Sequence, residues 1–220
     1  MAIYFKSRNQ GVIQMTDFIE LVKDRRSASN FIPDQSVTEE ELKEIFEVVK
    51  LGPSAFNLQH TYYMAVINPE VKEKLRKAAN GQYKVHSASA VILVLGDKKA
   101  FHDAARIYEG LLLLGILNKQ EYDHMVNDTV SFYESRGEQF TRDEAIRNAS
   151  ISAMLFMLAA KEKGWDTCPM IGFDPEAVKE ILNIGDQYEV ALMITLGKEK
   201  LESRKPRGYR KPVSEFVTVI

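Results

Sequence analysis

The fold is decided by residues 141–163, which read TRDEAIRNASISAMLFMLAAKEK. Thr141 and Glu144 have the spacing of a capping box, which predicts a helix over residues 142–163. Over residues 149–160 this helix is apolar on nearly all sides. Because such a helix must be covered all round, we expect it at the centre of the domain.

Short apolar runs on both sides of this helix predict a sheet. Three of them are rich in β-branched and aromatic residues and are expected as buried strands: 62–67, 88–95 and 189–196. Helices are expected over 17–25, 38–49, 70–79 and 175–182. The tail 213–220 alternates weakly and is a candidate fourth strand, but its partner cannot be identified from the pattern.

Composition indicates one globular domain, residues 1–220. The chain is 45% hydrophobic and 27% charged, and at this length roughly 70% of the unfolded surface can be buried. Its formal net charge of -2 gives no positive field, so we expect no nucleic-acid partner. No run approaches 18 apolar residues, so we expect no membrane insertion. The first 15 residues lack the apolar core of a signal peptide, and the chain has one cysteine, so we expect a cytoplasmic protein.

Residues 100–139 are expected to be an insertion or lid over the active site. They contain helical patches whose aromatic and charged residues do not reduce to one face.

The sequence lacks the usual nucleotide and metal motifs. None of its 12 glycines forms Gly-x-Gly, and the four histidines have no zinc spacing, so no metal site is expected. Cys168 and the histidines are best explained by structural roles.

Two basic segments allow two interpretations. Arg25, Arg26 and Ser27 stand at a helix end, and residues 204–211 contain five cations. Both segments can be solvated surface, and the arginines then face the negative end of the helix dipole. Alternatively, their planar donor forks together bind a phosphate monoester.

Residues 53–59, PSAFNLQ, form a loop between a helix and a strand. Its small and amide side chains are typical of turns. They could equally hydrogen-bond a polyhydroxy chain or the edge of a heterocycle.

Taken in order, these motifs resemble the FMN-dependent nitroreductase family over nearly the full length. The resemblance is carried by RRSASNF at 25–31, PSAFNLQ at 53–59, ANGQY at 79–83, GWDTCPMIGFD at 164–174 and the basic stretch 204–211. Within the family, the chain most resembles bacterial NAD(P)H nitroreductases associated with quinone detoxification.

The resemblance implies an α+β fold whose central mixed sheet is flanked by helices. It also implies a homodimer in which the tail 213–220 adds a strand to the partner's sheet. Two FMN sites would lie between the subunits. The residues expected to bind FMN are Arg25, Arg26, Ser27, Ser29, Ser54, Asn57, Gln59, Gln82, Pro169, Ile171, Gly172, Arg207 and Arg210.

The resemblance also assigns parts of FMN to these residues. Arg25, Arg26 and Ser27 would hold phosphate and ribityl oxygens, closed by Arg207 or Arg210, of which Arg210 is preferred. The loop side chains of Ser54, Asn57 and Gln59 would come from the other subunit. Gln82 would face the pyrimidine edge, and the main chain of 169–172 would follow the N5 edge.

Two positions depart from the family pattern. Many relatives have a basic residue at Ser29, so that flavin contact is weaker here or is supplied by the C-terminal arginines. Relatives often follow the Gln59 position with Pro-Trp, where this chain has His60 and Thr61.

The implied activity is ping-pong hydride transfer from NADH or NADPH, through flavin N5, to a nitroaromatic or quinone. No side-chain acid or base is required, so we expect no catalytic residue in the narrow sense. Another flavin reaction on the same fold, or a non-enzymatic FMN-binding module, remains the alternative.

Overall fold

The computed structural model describes residues 17–220, and the expectation about a signal peptide lies outside them. Within this range the chain forms seven α-helices: α1 (Phe18–Asp24), α2 (Glu39–Val49), α3 (Pro69–Ala78), α4 (Tyr83–Ser87), α5 (Ala104–Leu113), α6 (Lys119–Glu162) and α7 (Pro175–Leu182). Several begin as the sequence predicts, with Asp17 capping α1 and a Thr38–Glu41 capping box opening α2. No helix in residues 17–220 is long and apolar enough to cross a membrane.

Four strands form one sheet in the described part of the chain. They are β1 (Thr61–Val66), β2 (Ala90–Asp97), β3 (Asp166–Met170) and β4 (Tyr188–Gly197), in the order β1-β2-β4-β3. The α+β class is confirmed, but every neighbouring pair of strands is antiparallel, so the expectation of a mixed sheet needs correction. In residues 17–220, parallel pairing is limited to a single bridge between Ser27 and Thr167. An apolar run predicts a strand but not its direction, which depends on the connection between strands.

Helices cover both faces of the sheet. Ile92 and Val94 of β2 pack in a cluster with α2 and α6, whereas Val91, Leu93 and Leu95 pack in another with α3, α4 and α7. Because both faces of β2 are buried, its sequence reads as a continuous apolar run instead of alternating.

The second part of α6 is central, as expected. Ala149, Ala153 and Phe156 have no exposed surface and pack on the sheet. A Cβ atom at Gly96 would lie 2.6 Å from the backbone of Ala145, so only glycine lets β2 approach the helix this closely.

The start of α6 differs from the prediction. The helix begins at Lys119, so the capping box proposed for Thr141 and Glu144 is wrong. The Thr141 hydroxyl instead donates to the carbonyl of Glu138 (3.0 Å) inside the helix. The helix is interrupted earlier, at Gly137, where φ is +78° and ψ is 177°. Glycine adopts this conformation without the Cβ clash that other residues would suffer.

The predicted insertion, residues 100–139, contains α5 and the first part of α6. Its buried aromatic residues Phe101, Tyr108 and Tyr133 pack around Leu58. The insertion is therefore held to the domain by its own hydrophobic cluster, and its role as a lid stays a prediction.

The fourth strand of the sheet is β3 and not the C-terminal tail. Pro169 lies within β3, which is tolerated because β3 is an edge strand of the sheet. The tail forms a short 3-10 turn at Val213–Glu215 and leaves Phe216 and Val219 exposed. The expected tail strand is therefore absent within this chain, and its exchange with a partner stays a prediction.

Candidate functional site

The two basic segments of the sequence meet at the end of α1. Arg207 Nη2 donates to the carbonyl oxygens of Lys23 (2.5 Å) and Arg25 (3.3 Å). Arg26 Nη2 donates to the carbonyl of Lys205 (2.7 Å). Carbonyls in the last turn of a helix lack intrahelical partners, so these bonds fasten the C-terminal segment to α1.

We define the arginine cluster as Arg25, Arg26, Arg207 and Arg210. Partial burial, and then the charges of Arg207, Arg210 and Arg26, hold the pKa of the Arg25 guanidinium below its usual value. Within the described residues, Arg26, Arg207 and Arg210 donate to backbone carbonyls and not to carboxylates. Converging guanidinium groups without a carboxylate between them form an arrangement that a bound anion would stabilise.

Backbone pairing places this cluster beside β3. Ser27 forms a parallel bridge with Thr167, and the Ala28 N–H donates to the Thr167 carbonyl (3.0 Å). Since β3 continues directly into Ile171 and Gly172, the predicted phosphate residues and the predicted N5 segment belong to one surface.

Gln82 joins the same surface. Its Nε2 donates to the Gly172 carbonyl (3.0 Å), and Asn80 Nδ2 approaches the same oxygen (3.3 Å). The Ile171 side chain is 80% exposed. The chain leaves β3 just before this residue, and the side chain turns to solvent.

Lys84, which was not predicted from the sequence, also lies against β3. It lies two residues after Gln82, and its Nζ is 3.4 Å from Cys168 Sγ in β3. No motif marks this lysine in the sequence, because its approach to β3 depends on how α4 packs on the sheet.

The loop 54–59 has a strained backbone. Phe56, Asn57 and Gln59 all have positive φ angles, of 53°, 55° and 52°. Such values are uncommon outside glycine and persist only where the surroundings hold them. Ser54 Oγ accepts the Gln59 N–H at 2.9 Å.

Buried polar side chains outside the motif hold this loop. Asn148 Oδ1 accepts the Ala55 N–H (2.8 Å), and the Tyr108 hydroxyl donates to the Phe56 carbonyl (3.0 Å). Sequence reasoning missed both Asn148 and Tyr108. Their spacing within α6 and α5 gives no sign of a contact 93 or 52 residues away.

Within one chain, the loop and the arginine cluster are far apart. One row across the sheet runs through Val66, Val91, Thr195 and Cys168, so β1 and β3 are opposite edges. Loop 54–59 precedes the other end of β1. From Cys168 in β3 to Thr61 at that end of β1, three strand spacings and five residues of strand give a distance of about 22 Å. The structure thus brings the arginine cluster to the strand that leads to Gln82 and residues 169–172. Loop 54–59 lies apart from both.

Ser29 is partly exposed next to buried Ala28. Its hydroxyl makes no hydrogen bond to any residue of 17–220, so it is free to contact a ligand. The same residues contain no group of three or more His, Cys, Asp or Glu side chains placed to hold a metal ion.

Two clefts lie away from the arginine cluster. The larger, about 370 Å³, is lined by residues of both charge signs and by none of the predicted site residues. The smaller, about 210 Å³, is lined by Ser54, Gln59 and Tyr63, whose hydroxyl lies 2.7 Å from Ser152 Oγ. The predicted loop therefore borders a cavity, and the arginine cluster lines neither of these two clefts.

Comparison with known proteins gives one consistent result. The family model described as "Nitroreductase family" matches residues 22–198. The chain is 73% identical over 203 residues to "Putative NAD(P)H nitroreductase MhqN" of Bacillus subtilis (strain 168), covering 92% of this chain and 98% of that protein. It is 34% identical to "Putative NAD(P)H nitroreductase YodC" of the same organism, covering 93% and 99%.

Solved structures agree in fold. The crystal structure of the "putative nitroreductase ydfN" from Bacillus subtilis has a TM-score of 0.91 at 71% identity, covering 92% of this chain and 98% of that one. A "putative nitroreductase in complex with FMN" from Exiguobacterium sibiricum has a TM-score of 0.86 at 28% identity, covering 93% and 98%.

Proposed function

Since this chain belongs to the nitroreductase family, we propose that it is an FMN-dependent NAD(P)H oxidoreductase that reduces nitroaromatics or quinones. The observation that carries the proposal is the arginine cluster, in which Arg25 interacts with three other guanidinium groups and forms no ion pair with a carboxylate of residues 17–220. A phosphate monoester supplies the missing negative charge and accepts several charge-assisted hydrogen bonds.

The neighbouring residues fit the remainder of FMN. Gln82 and the 169–172 segment present an amide and main-chain groups at the edge of the same surface, as a flavin heterocycle requires. Ser27 and Ser29 add hydroxyl groups beside the arginines. FMN bound here would supply hydride chemistry, taking hydride at N5 from NADH or NADPH and passing it to the acceptor in a ping-pong sequence.

The chain's own residues contribute charge and orientation. We propose that Lys84 stabilises negative charge at the pyrimidine end of the ring. Lys84 is two residues after Gln82 in the sequence, and its ammonium group faces Cys168 in β3. The main-chain N–H of Ile171 is assigned to N5. No side chain is assigned as a general acid or base.

A homodimer completes the proposed site. About 22 Å of sheet separates Cys168 in β3 from Thr61, which follows loop 54–59, so a second chain must supply the loop if it contacts the same FMN. Apolar side chains of α1 and α6 are exposed, including Phe18 (63%), Ile19 (55%) and Ile151 (47%). The tail 213–220 does not pair with the sheet of its own chain, and β1 is an edge strand that pairs on one side only among residues 17–220. We propose that the tail adds to the partner's sheet at such an edge.

The acceptor and the electron donor are proposed only as classes. Residues 100–139 pack on loop 54–59, so in the proposed dimer they would cover the FMN bound mainly by the other subunit, and either NADH or NADPH would serve as donor. We place the enzyme in the cytoplasm, in keeping with its single cysteine.

Colour and bleaching test this proposal. The purified protein should show a flavin spectrum, lose it on anaerobic addition of NADH or NADPH, and regain it when a quinone or nitroaromatic is added. Steady-state rates with both nucleotides against both acceptors should give the parallel reciprocal plots of a ping-pong mechanism. A yellow protein that neither nucleotide reduces would instead be a binding module, and a colourless protein that does not take up FMN would refute the assignment.

A further inference from the structure

Lys161, in the last turn of α6, connects the two elements that carry the phosphate residues. Its Nζ lies 2.7 Å from Asp24 Oδ2 and 3.0 Å from Asp166 Oδ1. Asp24 is the last residue of α1, and Asp166 is the first residue of β3. One ammonium group therefore holds the end of α1 against the start of β3.

This ammonium remains charged although its side chain is only 15% exposed. Burial, the largest single effect, lowers the pKa of Lys161, but the hydrogen bonds to Asp24 and Asp166 and the charges of these carboxylates together raise it above its usual value. The Lys161 contact likewise lowers the pKa of Asp24, so the link is ionic at neutral pH.

A second ion pair extends the link to the C-terminal segment. Asp166 Oδ2 accepts the Glu199 N–H at 2.9 Å. The Glu199 side chain is 1% exposed, and its Oε2 accepts from both Nε and Nη2 of Arg204, each at 2.6 Å. We call these five connected residues the ionic chain: Asp24, Lys161, Asp166, Glu199 and Arg204.

Each end of the ionic chain adjoins the arginine cluster. Asp24 directly precedes Arg25, and Arg204 is three residues before Arg207. We propose that the ionic chain is a positioning device that sets the spacing of the four guanidinium groups around the phosphate. The proposal rests on the proposed function, since the phosphate is that of FMN.

Repulsion explains why such a device is needed. The arginine cluster is assembled from a helix end and an exposed C-terminal segment, and its like charges drive these two elements apart. The ion pairs and hydrogen bonds of the ionic chain hold α1 and the C-terminal segment to the start of β3 against this repulsion. Its members themselves do not contact the ligand.

Comparison of FMN with riboflavin separates positioning from general stability. Lys161→Met removes the central ammonium, and Lys161→Arg restores a cation at that place. Lys163→Met is the matched control, because Lys163 is two residues away and pairs with Glu44 (2.6 Å) outside the ionic chain. Dissociation constants of both flavins for the apoproteins are measured by quenching of flavin fluorescence.

We expect Lys161→Met to weaken FMN about tenfold, the effect of misplacing one charge-assisted hydrogen bond, and to change riboflavin less than twofold. Lys161→Arg should recover most of the FMN affinity, and Lys163→Met should match the wild type. If Lys161→Met does not fold, Asp24→Asn on an exposed side chain should produce the same selective loss.

Three results would overturn the inference. Equal loss of FMN and riboflavin in Lys161→Met would make the ionic chain a fold element only. Wild-type FMN affinity in a folded Lys161→Met would give it no role at the site, while leaving the proposed function intact. A wild-type protein that binds FMN no more tightly than riboflavin would refute the phosphate site and the inference together.

Discussion

Replacing Arg25 with methionine should have opposite effects on cofactor binding and on apoprotein stability. The pKa of Arg25 is held below its usual value, first by burial and then by the charges of Arg207, Arg210 and Arg26. The free protein therefore carries unfavourable charge at this position, which bound phosphate would relieve.

Both the loss of FMN affinity and the gain in apoprotein stability can be estimated from the charge that Arg25→Met removes. Loss of one charge-assisted hydrogen bond to phosphate costs about 1.5 to 3 kcal/mol, or roughly ten- to a hundred-fold in FMN affinity. Relief of repulsion among partly solvated cations is worth about 1 kcal/mol or less after screening. For a chain of this size that corresponds to a rise in the apoprotein Tm of about 2 to 4 °C at most.

The assay combines thermal unfolding of the apoprotein in phosphate-free buffer with titrations of FMN and riboflavin. Riboflavin lacks the phosphate, so its affinity should change little. Arg106→Met is the control, because Arg106 pairs with Asp103 on an exposed part of the insertion. A lower Tm together with equal weakening of both flavins would show that Arg25 supports the fold and does not bind the phosphate.

Three further outcomes are expected. Truncation after Pro212 should abolish dimerisation and FMN binding together, as judged by light scattering and absorbance, and a truncated monomer that still binds FMN tightly would contradict the shared site. Ile171→Ala should cost little stability, because the side chain is 80% exposed, and should leave hydride transfer within a few-fold. Ile171→Pro, which lacks the N–H, should slow anaerobic flavin reduction by about 10² to 10³. Equal rates in FMN-loaded Ile171→Ala and Ile171→Pro would rule out a role for the residue 171 N–H at N5. Burial lowers the pKa of His60 to about 4, so the unfolded state binds the extra proton first as pH falls. Roughly 3 kcal/mol of stability should therefore be lost between about pH 6.5 and 4, and a His60→Phe variant with the same pH dependence would disprove this.

The sequence was informative where one local pattern corresponds to one local structure. Asp17 and Thr38 stand where their side chains cap helices, and both helices start there. The apolar run in β2 predicted a strand covered on both faces, which two helical layers provide. The arginine pair and the basic C-terminal stretch could be proposed as one phosphate site, because the family resemblance favoured this interpretation over a solvated surface.

Local patterns failed where a long-range contact competes with them. Thr141 and Glu144 have capping-box spacing, yet α6 continues through both residues. The helix is interrupted at Gly137 instead. The strand β3 was not predicted because it contains Pro169. Proline disfavours a strand unless that strand is at an edge of the sheet, as β3 is.

The sequence alone thus determined the family, the α+β class and most of the residues proposed to bind FMN, because these follow from short motifs in a fixed order. Only the tertiary structure decided which of these residues share a surface. It joined Gln82 to Gly172, placed Lys84 against Cys168 and connected Lys161 to two aspartates. It also left loop 54–59 at the opposite edge of the sheet. The physical reason is that strand order and helix packing set the distances between residues far apart in the chain. The separation of two residues in the sequence does not determine these distances.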